Sequence, residues 1–294
     1  MTAPLASIPS PHNAVFHVLG RSIHMYGLML LLAIVVAVAL TWVRWKRWGG
    51  DPDLVLRAAV WGVAAGIVGA RAYHDVTSWN QVPHKWWGPF AVWQGGLGVW
   101  GGILFGVLAG AWVVHRAGAS VRLMMDAVAP GLLLAQGIGR WGNWWNQELY
   151  GKPTSLPWGL KIDFQHRVAG YAQYSTFHPT FLYEFIYDVL AVGVLLLVGW
   201  RFRIKPPGLF ALYVSLYTAF RAYEETLRID PAHHFLGQRV NFWVSIVVFA
   251  VSTAFFIWWQ FFRRVEGPEP AAAARPAPTG PAMAIPKGRV RPSR

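Results

Sequence analysis

The chain has 294 residues, of which 55% are hydrophobic and only 13% charged, with 18 tryptophans and no cysteine. A soluble domain carries about 25% charged residues, so this composition predicts a polytopic membrane protein with tryptophans at its membrane–water interfaces. The lack of cysteine excludes disulfides, thiolate metal sites and a cysteine nucleophile. The net charge of +13 would be compatible with a nucleic-acid-binding protein, but the basic residues cluster beside hydrophobic segments and in the tail. We therefore expect membrane lipids as partners and no nucleic acid.

Seven hydrophobic segments predict an all-α integral membrane protein with seven transmembrane helices. The predicted spans are residues 25–43, 55–73, a third that follows a glycine-rich entry at 94–102 and ends near 115, and then 121–144, 181–200, 209–225 and 240–262. We expect an extracytoplasmic interfacial segment at 1–24, a membrane domain at 25–264 with a small extracytoplasmic cap at 145–180, and a disordered basic cytoplasmic tail at 265–294.

Basic residues predict the orientation of these spans. They follow the first span (Arg44, Lys46, Arg47), lie between the third and fourth (His115, Arg116, Arg122), and follow the fifth (Arg201, Arg203, Lys205) and the seventh (Arg263, Arg264). These are alternate connections, and the side richer in lysine and arginine is the cytoplasmic one. The N-terminus is therefore expected outside and the C-terminus inside.

Polar residues gather where the fourth span reaches its outer end. Arg140, Asn143 and Gln147 recur at helical spacing among glycines, and Asn146 and Glu148 lie beside them. A helix end whose polar groups simply meet water is one interpretation. The density of polar residues among glycines favours a functional site, because such residues are costly at the edge of a bilayer.

A second polar stripe lies at the outer end of the sixth span, where Tyr217, Arg221, Glu225 and Arg228 share one helical face. A structural Arg221–Glu225 ion pair is the alternative interpretation. Together with Arg140, however, Arg221 would place a second guanidinium group on the same side of the membrane, and two such groups can bind a phosphate. His178 before Pro179 and Tyr26 at the outer end of the first span are weaker candidates, whereas Asp126 is expected to tie helices together.

Residues 139–151, with the sequence GRWGNWWNQELYG, resemble the signature of the prolipoprotein diacylglyceryl transferase family, G-R-x-G-N-[FW]-x-N-x-E-x-[WY]-G. Supporting matches are HMYGLM at 24–29, QGGL at 94–97, Asp126 with Pro130, HPTFLYE at 178–184, Arg221 within 217–225, and LGQ at 236–238. The resemblance implies a seven-span enzyme of the bacterial inner membrane with an outward-facing site. It would transfer the diacylglyceryl group of phosphatidylglycerol to the lipobox cysteine of a prolipoprotein signal peptide, forming a thioether and releasing glycerol phosphate.

The resemblance also implies site residues, matched by motif. The expected catalytic residues are Arg140, Arg221, Glu225, Glu148 and Tyr26, and the substrate-binding candidates are Arg140, Asn143, Asn146, Gly151, Tyr217 and His178. No cofactor is implied, and we expect no metal because no carboxylate and histidine set has a convincing ligand spacing.

Two positions depart from the family pattern. Many members have a histidine, proposed as the base for the incoming thiol, where this chain has Trp100, and tryptophan cannot accept a proton. Gln147 stands where glycine is common. The competing interpretation is a seven-span transporter or receptor for an anionic solute, but its polar residues would form a path at mid-depth and not gather at one face. An intramembrane protease fits poorly, because Asp126 and Asp188 share no recognisable motif.

Overall fold

The computed structural model describes residues 7–18 and 20–263 and shows a bundle of long helices. Six of the described helices are long and apolar enough to cross a membrane, and these are α1 (Met25–Arg47), α2 (Pro52–Thr77), α3 (Val99–Arg116), α4 (Val121–Asn146), α5 (Thr180–Arg201) and the segment Val240–Phe262. The last comprises α7 (Val240–Ile257) and a π-helical turn, Trp258–Phe262. The bundle therefore has the composition of a multi-pass membrane protein.

The remaining long helix is α6 (Gly208–Leu227), which the sequence predicts as the sixth span. It is not among the six, because every 18-residue stretch of it contains Arg221, Glu224 and Glu225. The prediction of seven spans, and of the side on which each terminus lies, thus remains a prediction. The predicted tail at 265–294 lies outside the described residues.

Local sequence explains where several helices begin and end. The Asp51 carboxylate accepts a hydrogen bond from the Asp53 amide (3.0 Å) ahead of Pro52, and the Ser120 hydroxyl accepts one from the Leu123 amide (3.3 Å). The glycine-rich entry at 94–102 becomes α-helical only at Val99, because Gly95 and Gly96 have positive φ angles. Trp100 therefore lies in the first turn of α3.

Short antiparallel strand pairs lie outside the bundle. Within the predicted interfacial segment a hairpin joins β1 (Val15–Val18) to β2 (Arg21–His24). Between α4 and α5, β3 (Leu160–Lys161) pairs with β4 (Thr176–Phe177), and before α7, β5 (His234–Phe235) pairs with β6 (Gln238–Arg239).

The antiparallel helices divide the molecule into two ends. At one end the buried residues Trp45, Leu54 and Val114 pack together near the basic residues in the last turns of α1 and α3. Asp126 connects elements there, since its carboxylate accepts a hydrogen bond from the Phe210 amide (2.8 Å), as expected of a residue that ties helices together. At the other end, the α4–α5 connection packs around Tyr150, Leu160, Ile162, Phe177 and Phe181. The polar residues selected from the sequence lie at this second end.

Candidate active site

Two arginines and two glutamates meet where α4 ends, α5 begins and α6 ends. Arg140 Nη2 lies 2.6 Å from Glu184 Oε2 and 3.7 Å from Glu224 Oε2. Arg221 Nη1 contacts Glu224 and lies 3.7 Å from the same Glu184 oxygen. Three helices thus bring the two arginines of the sequence prediction to one point. We call these four residues the central cluster.

The second part of the site extends from Arg140 along the signature segment. Arg140 Nη1 donates to Asn143 Oδ1 at 3.4 Å, and the Asn143 and Asn146 side-chain amides each donate to Glu148 Oε1 at 3.0 Å. Tyr26 of α1 lies beside this group, against Gly142 of the same segment. Its ring packs on Gly142, where a Cβ would lie only 2.5 Å from Tyr26 Cδ2, so any larger residue would displace the ring.

A second ion network supports the central cluster from the α6–α7 connection. Arg221 contacts Glu225, which also receives Arg228 Nη1 at 3.3 Å and Arg239 Nε at 2.5 Å. Arg228 and Arg239 both pair with the Asp230 carboxylate, with closest nitrogen–oxygen distances of 2.7 and 2.8 Å. Burial alone would raise the pKa of Asp230, but the hydrogen bonds and charges of these two arginines lower it overall.

Gly151 joins the end of the signature segment to α6 and the start of α5. Its amide donates to the His178 carbonyl (2.9 Å), and its backbone forms a bridge with Arg228. A Cβ at this position would lie 2.9 Å from His178 Cβ and 3.2 Å from both the Leu227 carbonyl oxygen and Thr180 Cγ2. Close packing against the start of α5 and the end of α6, and not a positive φ angle, therefore requires glycine here.

We expect Gly151→Ala to destabilise the protein by about 1–3 kcal/mol and to lower its activity, because the added methyl group must separate the α4–α5 connection from the end of α6. Thermal unfolding in detergent, together with an activity assay, measures both effects. The matched control is Gly193→Ala in α5, where no atom lies within 4 Å of the added Cβ. Alanine should there be neutral or stabilising. Equal unfolding midpoints for the two variants would contradict the packing argument.

His178, Tyr217 and Trp100 occupy different surroundings. His178 Nδ1 lies within hydrogen-bonding distance of the Tyr183 hydroxyl oxygen (3.1 Å). Burial and the charge of Lys152 lower the pKa of His178. Tyr217 is partly buried in α6, one helical turn before Arg221, and packs against the apolar core of the bundle. Trp100 is 58% exposed and lies on the outer surface of the bundle.

Gln147 occupies a left-handed backbone conformation, with a φ of 52°. This explains why glycine would suit the position. Its side chain compensates with three hydrogen bonds: it donates to the Pro11 carbonyl (2.8 Å) and to Asp163 Oδ2 (2.7 Å), and it accepts from the Asp163 amide (2.8 Å). Glutamine here connects the N-terminal segment to the α4–α5 connection. Its hydrogen bond and that of His12 lower the pKa of Asp163.

Glu224, Arg239 and Asp188 belong to this region but were not proposed as site residues from the sequence. Each is a buried ionisable residue. In the sequence each lies within or directly beside a predicted span, and an ionisable residue in such a position is a candidate functional residue. In the sequence, Glu184 stands out only as the last residue of the HPTFLYE match. Within the described residues, no group of three histidines, aspartates or glutamates is placed to hold a metal ion.

Comparison with known proteins gives one consistent family. Residues 13–258 match the family model described as prolipoprotein diacylglyceryl transferase. A relative from Bifidobacterium adolescentis is 45% identical over 273 residues, covering 86% of this chain and 80% of the relative. One from Cutibacterium acnes is 45% identical over 254 residues, covering 85% and 86%, and one from Frankia alni is 48% identical over 252 residues, covering 83% and 65%. All three are named phosphatidylglycerol–prolipoprotein diacylglyceryl transferase.

Proposed function

This chain belongs to the prolipoprotein diacylglyceryl transferase family, and from that premise we propose that its central cluster binds the phosphate of the lipid substrate. The enzyme transfers the diacylglyceryl group of phosphatidylglycerol to the lipobox cysteine of prolipoproteins, the first step of lipoprotein maturation. In this reaction a carbon–sulfur bond forms, a carbon–oxygen bond breaks, and glycerol phosphate leaves.

The observation that supports this assignment most directly is the convergence of Arg140 and Arg221. Their guanidinium groups approach the same Glu184 oxygen, at 2.6 and 3.7 Å, from different helices. Both arginines are about 15% exposed, whereas the glutamates behind them are 1% exposed. A phosphate entering the site would therefore meet guanidinium groups first, and these bind phosphate oxygens in a bidentate fashion.

The same arrangement favours departure of glycerol phosphate. Negative charge grows on the phosphate oxygen as its bond to the glyceryl carbon breaks, and fixed donors in a largely buried site stabilise that charge strongly. Asn143, held by Glu148, adds a neutral donor beside Arg140. Tyr26, Asn146 and Tyr217 would border the lipid head group, and Gly151 and Glu225 would hold the surrounding backbone and Arg221 in place.

We further propose that α6 is a seventh span and that the site faces the extracytoplasmic side of the bacterial inner membrane. The charged residues of α6 are buried and paired, which removes most of the cost of placing them at the edge of the bilayer. The basic residues in the last turns of α1, α3 and α5 lie at the opposite end of the bundle, which would be cytoplasmic. Residues 147–179 would then cap the site from outside.

A transfer assay with the purified full-length protein tests the proposed substrates. Phosphatidylglycerol labelled in its glyceryl backbone is supplied with a lipobox peptide, and label on the peptide together with free glycerol phosphate is the expected result. The matched control peptide carries serine in place of cysteine and should remain unlabelled. Phosphatidylcholine, labelled in the same way, should not act as a donor. Label on the serine peptide, or none on the cysteine peptide with folded protein, would contradict the assignment.

A further inference from the structure

An apolar groove of about 940 Å³ lies between α1 and α2 on the surface of the bundle. It is lined by one face of α1 between residues 34 and 43 and by one face of α2 between residues 56 and 67, and every lining residue is apolar. We call it the α1–α2 groove. Several of its side chains are largely exposed, among them Val35 (55%) and Val60 (67%). A concave apolar surface of this size is typical of a binding site.

The α1–α2 groove lies in the half of the two helices that is farthest from the candidate active site. It begins nine residues after Met25, the start of α1, which is about 14 Å along the helix axis. It ends near Trp45 and Leu54, which are buried at the basic end of the bundle. Its length of about 14–17 Å matches one leaflet of a hydrocarbon core about 30 Å thick. In the orientation proposed above, this is the inner leaflet.

Basic residues surround the inner end of the groove. Four basic and two acidic residues occur between positions 44 and 57. The Lys46 ammonium group lies over the Trp42 ring, 4.9 Å from its centroid, and Trp42 lines the groove. Arg57 lies at the same end of α2, where its side chain is 59% exposed and pairs with Asp51 at 3.3 Å. Lys46 and Arg57 therefore flank the mouth of the groove from α1 and α2.

We propose that the α1–α2 groove binds an anionic phospholipid of the inner leaflet, with its acyl chains in the groove and its phosphate near Lys46 and Arg57. Each basic residue at the cytoplasmic surface strengthens the binding of an anionic head group about fivefold. This lipid is not the one that is transferred, because Arg140 and Arg221 lie at the other end of the bundle. The site is therefore separate from the transfer reaction, and only its assignment to the inner leaflet rests on the orientation proposed above.

The apolar region of the prolipoprotein signal peptide is the alternative occupant. It is about 7–15 residues long and as a helix would match the length of the groove, but a basic segment precedes it. That basic segment would lie at the inner end, where basic residues are already in excess, and would be repelled. The acyl chains of a lipid bound at the central cluster begin at the outer end and would have to extend past the middle of the membrane. Charge and position together favour an anionic lipid of the inner leaflet.

Photolabelling tests this site with the full-length protein in phosphatidylcholine nanodiscs. Phosphatidylserine with a diazirine in one acyl chain is included as a minor component, and labelled peptides are identified by mass spectrometry. We expect label in residues 34–43 and 56–67 well above that on Leu108 and Trp112 of α3. These two side chains are each 59% exposed and lie on a helix that packs beside the same part of α2, since Gly110 faces the Ala58 carbonyl. Phosphatidylcholine with the same diazirine should show no such preference.

Variants separate the role of charge from that of shape. Lys46→Gln/Arg57→Gln should reduce phosphatidylserine labelling of the groove about 20-fold, because two basic residues are lost. The matched control Arg201→Gln/Arg203→Gln removes two exposed basic residues at the inner end of α5 and should leave the labelling unchanged. Ala39→Phe fills the groove and should abolish the labelling. All three should retain transfer activity, because these residues are remote from the central cluster.

Three results would overturn the inference: equal labelling of the groove by phosphatidylcholine, equal labelling of Leu108 and Trp112, or displacement of the label by a lipobox peptide. The last result would assign the groove to the signal peptide. If the variants fold poorly, competition in the unmodified protein gives the same decision, because unlabelled phosphatidylserine should displace the probe and phosphatidylcholine should not. Each of these results leaves the transferase function intact, since that function is contradicted only by the transfer assay above.

Discussion

Arg140→Ala is expected to reduce diacylglyceryl transfer by about 1000-fold or more. Removing one preorganised donor to a developing negative charge costs about 100- to 1000-fold, and this substitution also leaves Glu184 without its closest partner, 2.6 Å away. Arg140→Lys keeps the charge but loses the planar pair of donors, so we expect an intermediate loss of about 100-fold. Initial rates with labelled phosphatidylglycerol measure both.

The control for this prediction is Arg57→Ala. Arg57 pairs with Asp51 at 3.3 Å at the opposite end of the bundle, and its side chain is 59% exposed. An exposed ion pair contributes little to stability, so transfer should stay within about twofold of the unmodified enzyme. Thermal unfolding separates chemistry from folding in the Arg140 variants. If folded Arg140→Ala retained more than a tenth of the activity, the phosphate site would lie elsewhere.

Hydrophobic runs predicted the helices well because length and apolar content define a span almost independently of its neighbours. The first span was expected at 25–43 and α1 is Met25–Arg47, while the sixth was expected at 209–225 and α6 is Gly208–Leu227. The short strands were not predicted. Two-residue strands such as Leu160–Lys161 are too short to show an alternating pattern.

The site was only partly predictable for a different reason. Helical spacing groups residues on one helix, so Arg221 and Glu225 were placed together from the sequence alone. Contacts between helices leave no such pattern in one chain. The approach of Glu184 to both Arg140 and Arg221 depends on how α4, α5 and α6 pack, and only the structure reveals it.

Arg239 is a further residue whose contacts only the structure reveals, and its removal is expected to have a large effect on stability. Arg239→Ala removes a cation that lies 2.5 Å from Glu225 Oε2 and 2.8 Å from Asp230 Oδ2, leaving both carboxylates short of a partner. Breaking a buried ion pair in this way costs about 3–5 kcal/mol, so the unfolding midpoint in detergent should fall by roughly 10 °C. Transfer should also fall, because Glu225 helps to hold Arg221. The exposed Arg203→Ala should change neither quantity.

A double-mutant cycle and a pH series show whether Asp230 carries this effect. The double variant Arg239→Ala/Asp230→Asn should lose less free energy of unfolding than the two single variants lose in sum. The reason is that Asp230→Asn removes a charge that Arg239→Ala leaves poorly paired. The arginines lower the pKa of folded Asp230 below its unfolded value. The resulting stability is therefore present above about pH 4 and is lost as the pH falls through the folded pKa. The difference in unfolding midpoint between the unmodified protein and Arg239→Ala should narrow on acidification. A constant difference, together with additive costs in the double-mutant cycle, would show that Arg239 acts through Glu225 alone.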